Sequence, residues 1–330
     1  MSANPRRVAS PPPRMRTAAA QRGAALLLAM LILTLVASAA AAMVWTQQRA
    51  VDLLAAERVR AQAGWILVGA QDWARLMLRS DAGRAFPPNA GWARKLEESR
   101  LSQFLAASGA DGADGGSDAL DLYLSGEIDD AQSRYNLRRL VADDGQPVPA
   151  EIAALGRLCV AAGADATLAD RLASRLAAAW HSHEPTAPLA PQRVEQIAWL
   201  GLDAPGLQAI LPYVTLLPAR TALNANTAAA PALLAAIDGL ELPDAQRLAQ
   251  TLQRDPALSV AALRSLLPAG IALDEARVGV HSSHFEVQAR LRWDDRLLEE
   301  RWLFERRGVG AGAQVNLLRS DRRSLSGPGG

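Results

Sequence analysis

Three stretches of the chain gather residue types that can do chemistry. His281-Ser282-Ser283-His284 sets hydroxyls beside imidazoles, the pairing by which a hydrolase activates a serine. His181-Ser182-His183-Glu184 offers two imidazoles and a carboxylate to a metal ion. Asp111-Gly112-Ala113-Asp114-Gly115-Gly116-Ser117-Asp118 is rich in the oxygen donors that calcium takes. Each has a plainer reading. The first leads into an alternating run, and neighbouring side chains on an extended strand point to opposite faces, which separates serine from histidine. The second follows Trp180 and precedes Pro185, the setting of a helix end whose histidine favours the negative pole. The third lacks EF-hand spacing and reads as a solvated turn. One Cys, Cys159, excludes an intramolecular disulfide and a Cys-rich zinc site, and four His in the whole chain argue against a multi-histidine centre. No catalytic residue and no cofactor are assigned, and the sequence reads as a non-enzyme.

A fourth pattern, Leu234 to Ala245, has the form of a helix-hairpin-helix, which in DNA-binding proteins presents backbone N–H groups to phosphate. Here its flanks carry Asp238, Glu241 and Asp244 and no Lys, so a packing motif is expected and nucleic acid is not.

The elements that would position these residues follow from charge and periodicity. The totals are bland: 330 residues, half of them hydrophobic, net charge +1 and mean hydropathy +0.01. Residues 1–23, however, carry five Arg and no acid. Without them, 30 basic residues face 34 acidic ones. From Gly23 to Gln48 nothing is charged, and Ala24 to Trp45 is almost wholly apolar. About 22 to 24 helical residues reach roughly 33–36 Å, enough for a hydrocarbon core of about 30 Å. The basic leader keeps the N-terminus cytoplasmic and sends the remainder across the membrane. The run outlasts the apolar region of a cleaved signal peptide. Beyond it the helical pattern continues to Arg79, with Ile66, Ala70, Trp73 and Met77 on one face, so a single helix of more than fifty residues is expected.

A basic leader ending in Gly, an uncharged apolar segment immediately after it and an unbroken amphipathic extension resemble the N-terminus of type IV pilins and pseudopilins. The resemblance implies cleavage after Gly23 by a prepilin peptidase and methylation of Ala24. Most such subunits carry Glu at the fifth mature position, where this chain has Leu28. Among type II secretion pseudopilins that departure is typical of the K-type minor pseudopilin, the general secretion pathway protein K family. Gly126 to Leu137, containing Asn136, is similar to that family's acidic, Gln, Arg-aromatic-Asn-Leu motif. Thr221 to Ala228, containing Asn224 and Asn226, is similar to its Leu-Asn-Val-Asn-Thr-Ala, with Ala225 for Val. Asn224 and Asn226 are expected to bond local backbone and cap a helix starting near Ala230. His281 to Phe285 is similar to the entry to the closing hairpin.

The remaining pattern agrees with that resemblance. A short helix is expected around Trp92 to Ala107, and a strand over Leu120, Leu122 and Leu124. Several short helices are expected over 150–268, a hairpin over Phe285 to Glu305, and a third strand over Gln314 to Leu318. The expected fold is α/β (α+β): a pilin-like long helix on an antiparallel sheet with a large all-helical domain inserted. Its divisions are the leader 1–23, the transmembrane part 24–48, the first pilin-like part 49–140, the helical insertion 141–275, the closing strands 276–320 and a disordered tail 321–330.

The resemblance further implies a subunit of the inner membrane with a periplasmic domain, at the tip of a secretion pseudopilus. Its partners would be the I- and J-type minor pseudopilins, the major pseudopilin, the prepilin peptidase, and a secreted substrate or the outer-membrane channel. Members of the family bind calcium in the insertion; at the corresponding place this sequence offers only Glu184 as a carboxylate, so no ligand is assigned. Two other readings share parts of the pattern. A minor pilin of a type IV pilus or DNA-uptake system would have the same N-terminus without the insertion, and an anchored enzyme would need convergent polar groups.

Overall fold

The computed structural model describes residues 19–81, 95–103, 121–182, 184–293, 296–308 and 310–326. The leader up to residue 18 and the loop Asp111 to Asp118 lie outside them. The chain divides into two units, residues 1–64 and 65–330.

Helix α1 runs Ala19–Ser80, 62 residues without a break. In the first unit its apolar side chains face outward, with Leu26 to Val36 all well exposed. Thr34 and Ser38 donate their hydroxyl protons back to the carbonyls of Leu31 and Thr34, so the two polar groups inside the apolar run are satisfied within the helix. Trp45 ends the run, and the Arg49 guanidinium lies over its ring at 3.8 Å. This is the one helix among the described residues long and apolar enough to cross a membrane.

In the second unit α1 buries Leu67, Ala74 and Leu78 completely or nearly so. The expected face of Ile66, Ala70, Trp73 and Met77 flanks that line and is only half-buried. Its partner is a five-stranded antiparallel sheet in the order β1-β2-β7-β8-β9: β1 Leu96–Arg100, β2 Tyr123–Asp130, β7 His284–Trp293, β8 Arg296–Arg307 and β9 Gln314–Ser326. The alternation of β7 does what period two requires. Phe285, Val287, Ala289, Leu291 and Trp293 are buried, and the residues between them are half-exposed. Phe285 and Phe304, opposite one another in register, are fully buried.

Three expectations are corrected here. The helix expected around Trp92 to Ala107 is strand β1 over Leu96–Arg100, with helical geometry only at 101–103 among the described residues of that stretch. Its Lys and Glu side chains suit a helix, but pairing with β2 supplies ladder bonds and the ion pair Lys95–Glu127, Arg292 of β7 pairs with Glu98, and that context overrides local preference. The strand expected over Leu120 to Leu124 lies further on, at Tyr123–Asp130. The tail expected to be disordered from 321 is instead strand through Ser326, because β9 pairs with β8 along its whole length.

Residues 131–283 lie between the neighbouring strands β2 and β7. They form two apolar cores. The first gathers Tyr135, Leu137 and Leu140 with α2 (Pro149–Ala161), α3 (Thr167–His181) and α4 (Ala204–Ile210). The second gathers α5 (Ala230–Ala236), α6 (Leu242–Arg254) and α7 (Val260–Ser265) with Leu223, Val278 and Val280. Short parallel pairs stitch the connections: β3 (Tyr135–Asn136) to β4 (Val214–Thr215), and β5 (Leu223–Asn224) to β6 (Val278–Gly279). Helix ends are marked as chemistry predicts. Asp203 accepts from the Gly206 amide at the start of α4, and Ser259 accepts from the Ala262 amide at the start of α7.

Candidate functional site

Where β2 ends and β7 begins, the sheet meets the helical body through a buried polar junction. Asp130 is its hub, only 5% exposed. One carboxylate oxygen accepts from Asn224 Nδ2 (2.8 Å), Ser282 Oγ (2.6 Å) and Thr227 Oγ1 (2.6 Å); the other accepts from the Gln132 amide (2.8 Å). Burial pushes the carboxyl above its ordinary range, against the bonds from Ser282, Thr227, Gln132 and Asn224, which favour the charged form. Gln132 extends the junction: its carbonyl oxygen takes the amides of Ser283 (2.6 Å) and His284 (3.1 Å), and its Nε2 donates to the Ala222 carbonyl (2.8 Å).

The three motif asparagines are all buried and all tie distant segments. Asn136 donates to the Ala219 carbonyl and accepts from the Leu217 amide, and Asn224 reaches Asp130 and Ser282. Asn226 donates to the carbonyls of Ala257 and Val280 and accepts from the Ala257 amide. The helix-capping role expected of Asn224 and Asn226 is therefore corrected. The residue before α5 is Ala229, which offers no side-chain cap, and the asparagine amides are spent on long-range ties instead. Only the bond from the Asn226 amide to Asn224 Oδ1 is local.

A second buried cluster locks the two helical cores together. Glu151 accepts from the Tyr135 hydroxyl (2.6 Å) and from Arg139 (2.8 and 3.0 Å), with Arg277 beside it at 3.4 Å. Arg277 also reaches Asp238 (2.8 Å), which pairs with Arg157 as well. Both arginines donate to the Ala235 carbonyl at the C-terminal end of α5, where helix carbonyls lack internal partners. Of the acids flanking the Leu234 to Ala245 hairpin, Asp238 is thus consumed internally, and Asp244 pairs with Arg247 on α6.

The candidate chemical groups fare as follows. Ser283 Oγ lies 2.9 Å from His284 Nδ1, so these neighbours do meet, contrary to the alternation argument; Ser283 precedes β7 and is not on its regular pleat. The hydroxyl is also 2.9 Å from the Gln132 carbonyl oxygen, which can only accept. Gln132 thus competes with the imidazole for the serine proton, and the roles of Ser283 and His284 in their contact depend on the ring's tautomer. Burial holds His284 below the usual imidazole value, more than Glu305 and Asp130 can offset. His181 closes the last turn of α3, and Glu184 is exposed. Among the described residues no three His, Cys, Asp or Glu side chains gather into one group. Cys159 is buried, and burial pushes its thiol up to about 11. Gly23, Ala24 and Leu28 all lie on the exposed surface of α1.

Sequence reasoning quoted Asp130 and Gln132 within a motif without giving them a role, and it passed over Glu151, Arg277 and Arg306. The available signal was a handful of polar side chains inside otherwise Ala- and Leu-rich stretches.

A long N-terminal helix whose second half packs on an antiparallel sheet, with a helical body between two neighbouring strands, is a pilin-like fold of an enlarged kind. Residues 133–219 match the family model described as Type II secretion system (T2SS), protein K. A solved structure with a similar fold is "The Crystal Structure of the GspK-GspI-GspJ complex from enterotoxigenic Escherichia coli Type 2 Secretion System". It matches with a TM-score of 0.56 and 17% identity, covering 81% of this chain and 98% of that one. No curated protein matches in sequence. Residues 133–219 are thus similar to protein K of type II secretion, and the fold as a whole is similar to that of the solved complex.

Proposed function

We propose that this protein is the tip subunit of a type II secretion pseudopilus, serving the export of folded proteins across the outer membrane. The observation that carries the reading is the family match over residues 133–219, which falls within the body lying between β2 and β7. A minor subunit with that body has bulk that a helical fibre would accommodate most readily at an end. Leu28 supports the same position, since it offers no carboxylate to a subunit ahead of it. In this reading the leader is cut after Gly23 by the prepilin peptidase, Ala24 is methylated, α1 holds the precursor in the inner membrane, and residues 65–330 are periplasmic. The I- and J-type minor pseudopilins and the major pseudopilin are its partners, and the helical body faces a secreted substrate or the outer-membrane channel. Affinity purification of the tagged chain from cells expressing a complete secretion system tests this directly. I- and J-type subunits are expected to come with it, and recovery with the subunits of a retractile pilus alone would overturn it. Intact mass from cells lacking prepilin peptidase should rise by the mass of residues 1–23.

A further inference from the structure

A cleft of about 350 Å3 opens between the first helical core and the β8–β9 edge of the sheet. Trp180 from the last turn of α3, Pro191, Leu217 and Leu318 give it apolar walls. Among the described residues its charged lining groups are both cations, Arg138 and Arg319. Arg319 is already committed, donating to the Gln192 carbonyl at 2.7 Å and lying 3.2 Å from Asp321. Arg138 is different. Its guanidinium is stacked on Trp180 at 4.3 Å, and among the described residues no carboxylate pairs with it, although its neighbour Arg139 is bound to Glu151.

The stacking takes one face of the guanidinium out of water and fixes its plane while leaving its N–H edge unused. A planar fork held in this way reads a carboxylate through two parallel hydrogen bonds. Leu318 adds the second half of the arrangement. It is the extra residue at the register shift where Leu303 pairs with Arg319 and Phe304 with Leu317, and a bulge re-aims a side chain. The result is a leucine 40% exposed on an edge strand, against the cleft. The volume is at the low end for a ligand cavity and holds one or two side chains.

We propose that this cleft docks an extended segment of another protein that presents a carboxylate beside a large apolar side chain, the carboxylate on Arg138 and the apolar group against Trp180 and Leu318. The positive charge on Arg138 chooses the sign of the partner, and the apolar walls favour one that also brings an apolar group. The inference does not depend on the pseudopilus reading, because binding is measured on the purified chain alone.

The test uses the full chain in detergent micelles and three fluorescein-labelled decapeptides in which leucine alternates with glutamate, glutamine or lysine. Fluorescence anisotropy should show saturable binding of the glutamate peptide, with the other two weaker by about tenfold or more. Arg138→Gln should weaken the glutamate peptide by a similar factor, and Arg138→Lys by less. Leu318→Glu should do so as well, by placing a carboxylate at the mouth while leaving the Arg138–Trp180 stack in place. That variant keeps the test sound should Arg138→Gln fail to fold. Equal binding of the three peptides, no binding, unchanged binding by Leu318→Glu, or full displacement by excess inorganic phosphate would each overturn the proposal, the last by reducing the site to a simple anion site.

Discussion

Asp130 shows why a buried charge can be structural. Three side-chain donors and one backbone amide converge on it from β5, the loop after it, the turn after β2 and the residue pair before β7. Asp130→Asn keeps the shape and replaces one acceptor by a donor that faces Asn224 Nδ2. Hydrogen bonds to charged groups are worth about 1.5–3 kcal/mol each, and a buried donor facing a donor costs more than a lost bond. A loss of about 2–4 kcal/mol is expected, read as a lowered melting temperature in micelles with the helical content otherwise intact. His284 gives a pH signature of known sign. Burial keeps its folded value below the 6.5 of the free side chain, so the unfolded chain takes the proton first. Stability should therefore fall as pH drops from about 6.5 towards the lowered value and level off below it; His284→Gln should remove that slope in melts at stepped pH. At this scale the sequence was only half legible. Asn224 and Asn226 stand out in an Ala-rich run, yet their partners, Asp130, Ala257 and Val280, are between 31 and 94 positions away. Spacing along the chain carries no record of such pairs.

Among the elements, those with a strong internal period were legible and those defined by a neighbour were not. The β7–β8 hairpin declares itself by alternation, and α1 by an apolar run that passes into an amphipathic one. Strand β1 has no such period, and its identity comes from the free edge of β2. The C-terminal end of α1 is likewise fixed from outside. Arg306 of β8, 8% exposed, donates to the Leu78 carbonyl and to the Ser282 carbonyl at 3.1 Å each, and lies 4.7 Å over the Phe285 ring. One side chain thus ties the last turn of α1, the edge of the Asp130 junction and the sheet core. Arg306→Met fills the same space without the donors, so it tests the bonds and not the packing. Amide hydrogen exchange at Met77 to Asp81 should become faster by about one to two orders of magnitude, the equivalent of one or two charge-assisted bonds, while exchange within α2 stays unchanged. A uniform increase across both regions would mean that Arg306 supports global stability and does not pin the helix end.

The neutral totals of the whole chain conceal an uneven layout, in which a basic leader precedes an uncharged helical run and a mildly acidic remainder. On the proposed tip reading, Leu28 is where that layout bears most directly on assembly. All the polar groups in the run from Gly23 to Gln48 are neutral, and Thr34 and Ser38, in the middle of the apolar stretch, are satisfied by their own helix. Leu28→Glu would introduce an ionisable group near the start of the apolar run, at a cost of up to about 2.5–3.5 kcal/mol, the value on insertion scales for the helix centre, unless a cation meets it. In a fibre the nearest available cation is the amino terminus of a subunit ahead, which a tip subunit lacks. The variant is therefore expected to insert and to be processed after Gly23, yet to show reduced secretion of a reporter protein and reduced crosslinking to the I- and J-type subunits through cysteines placed on α1. The processing step separates a failure to insert from a failure to assemble, because uncut precursor would indicate the former. If the variant is cut, crosslinks and secretes as the parent does, the absence of a carboxylate at this position does not determine where the subunit sits.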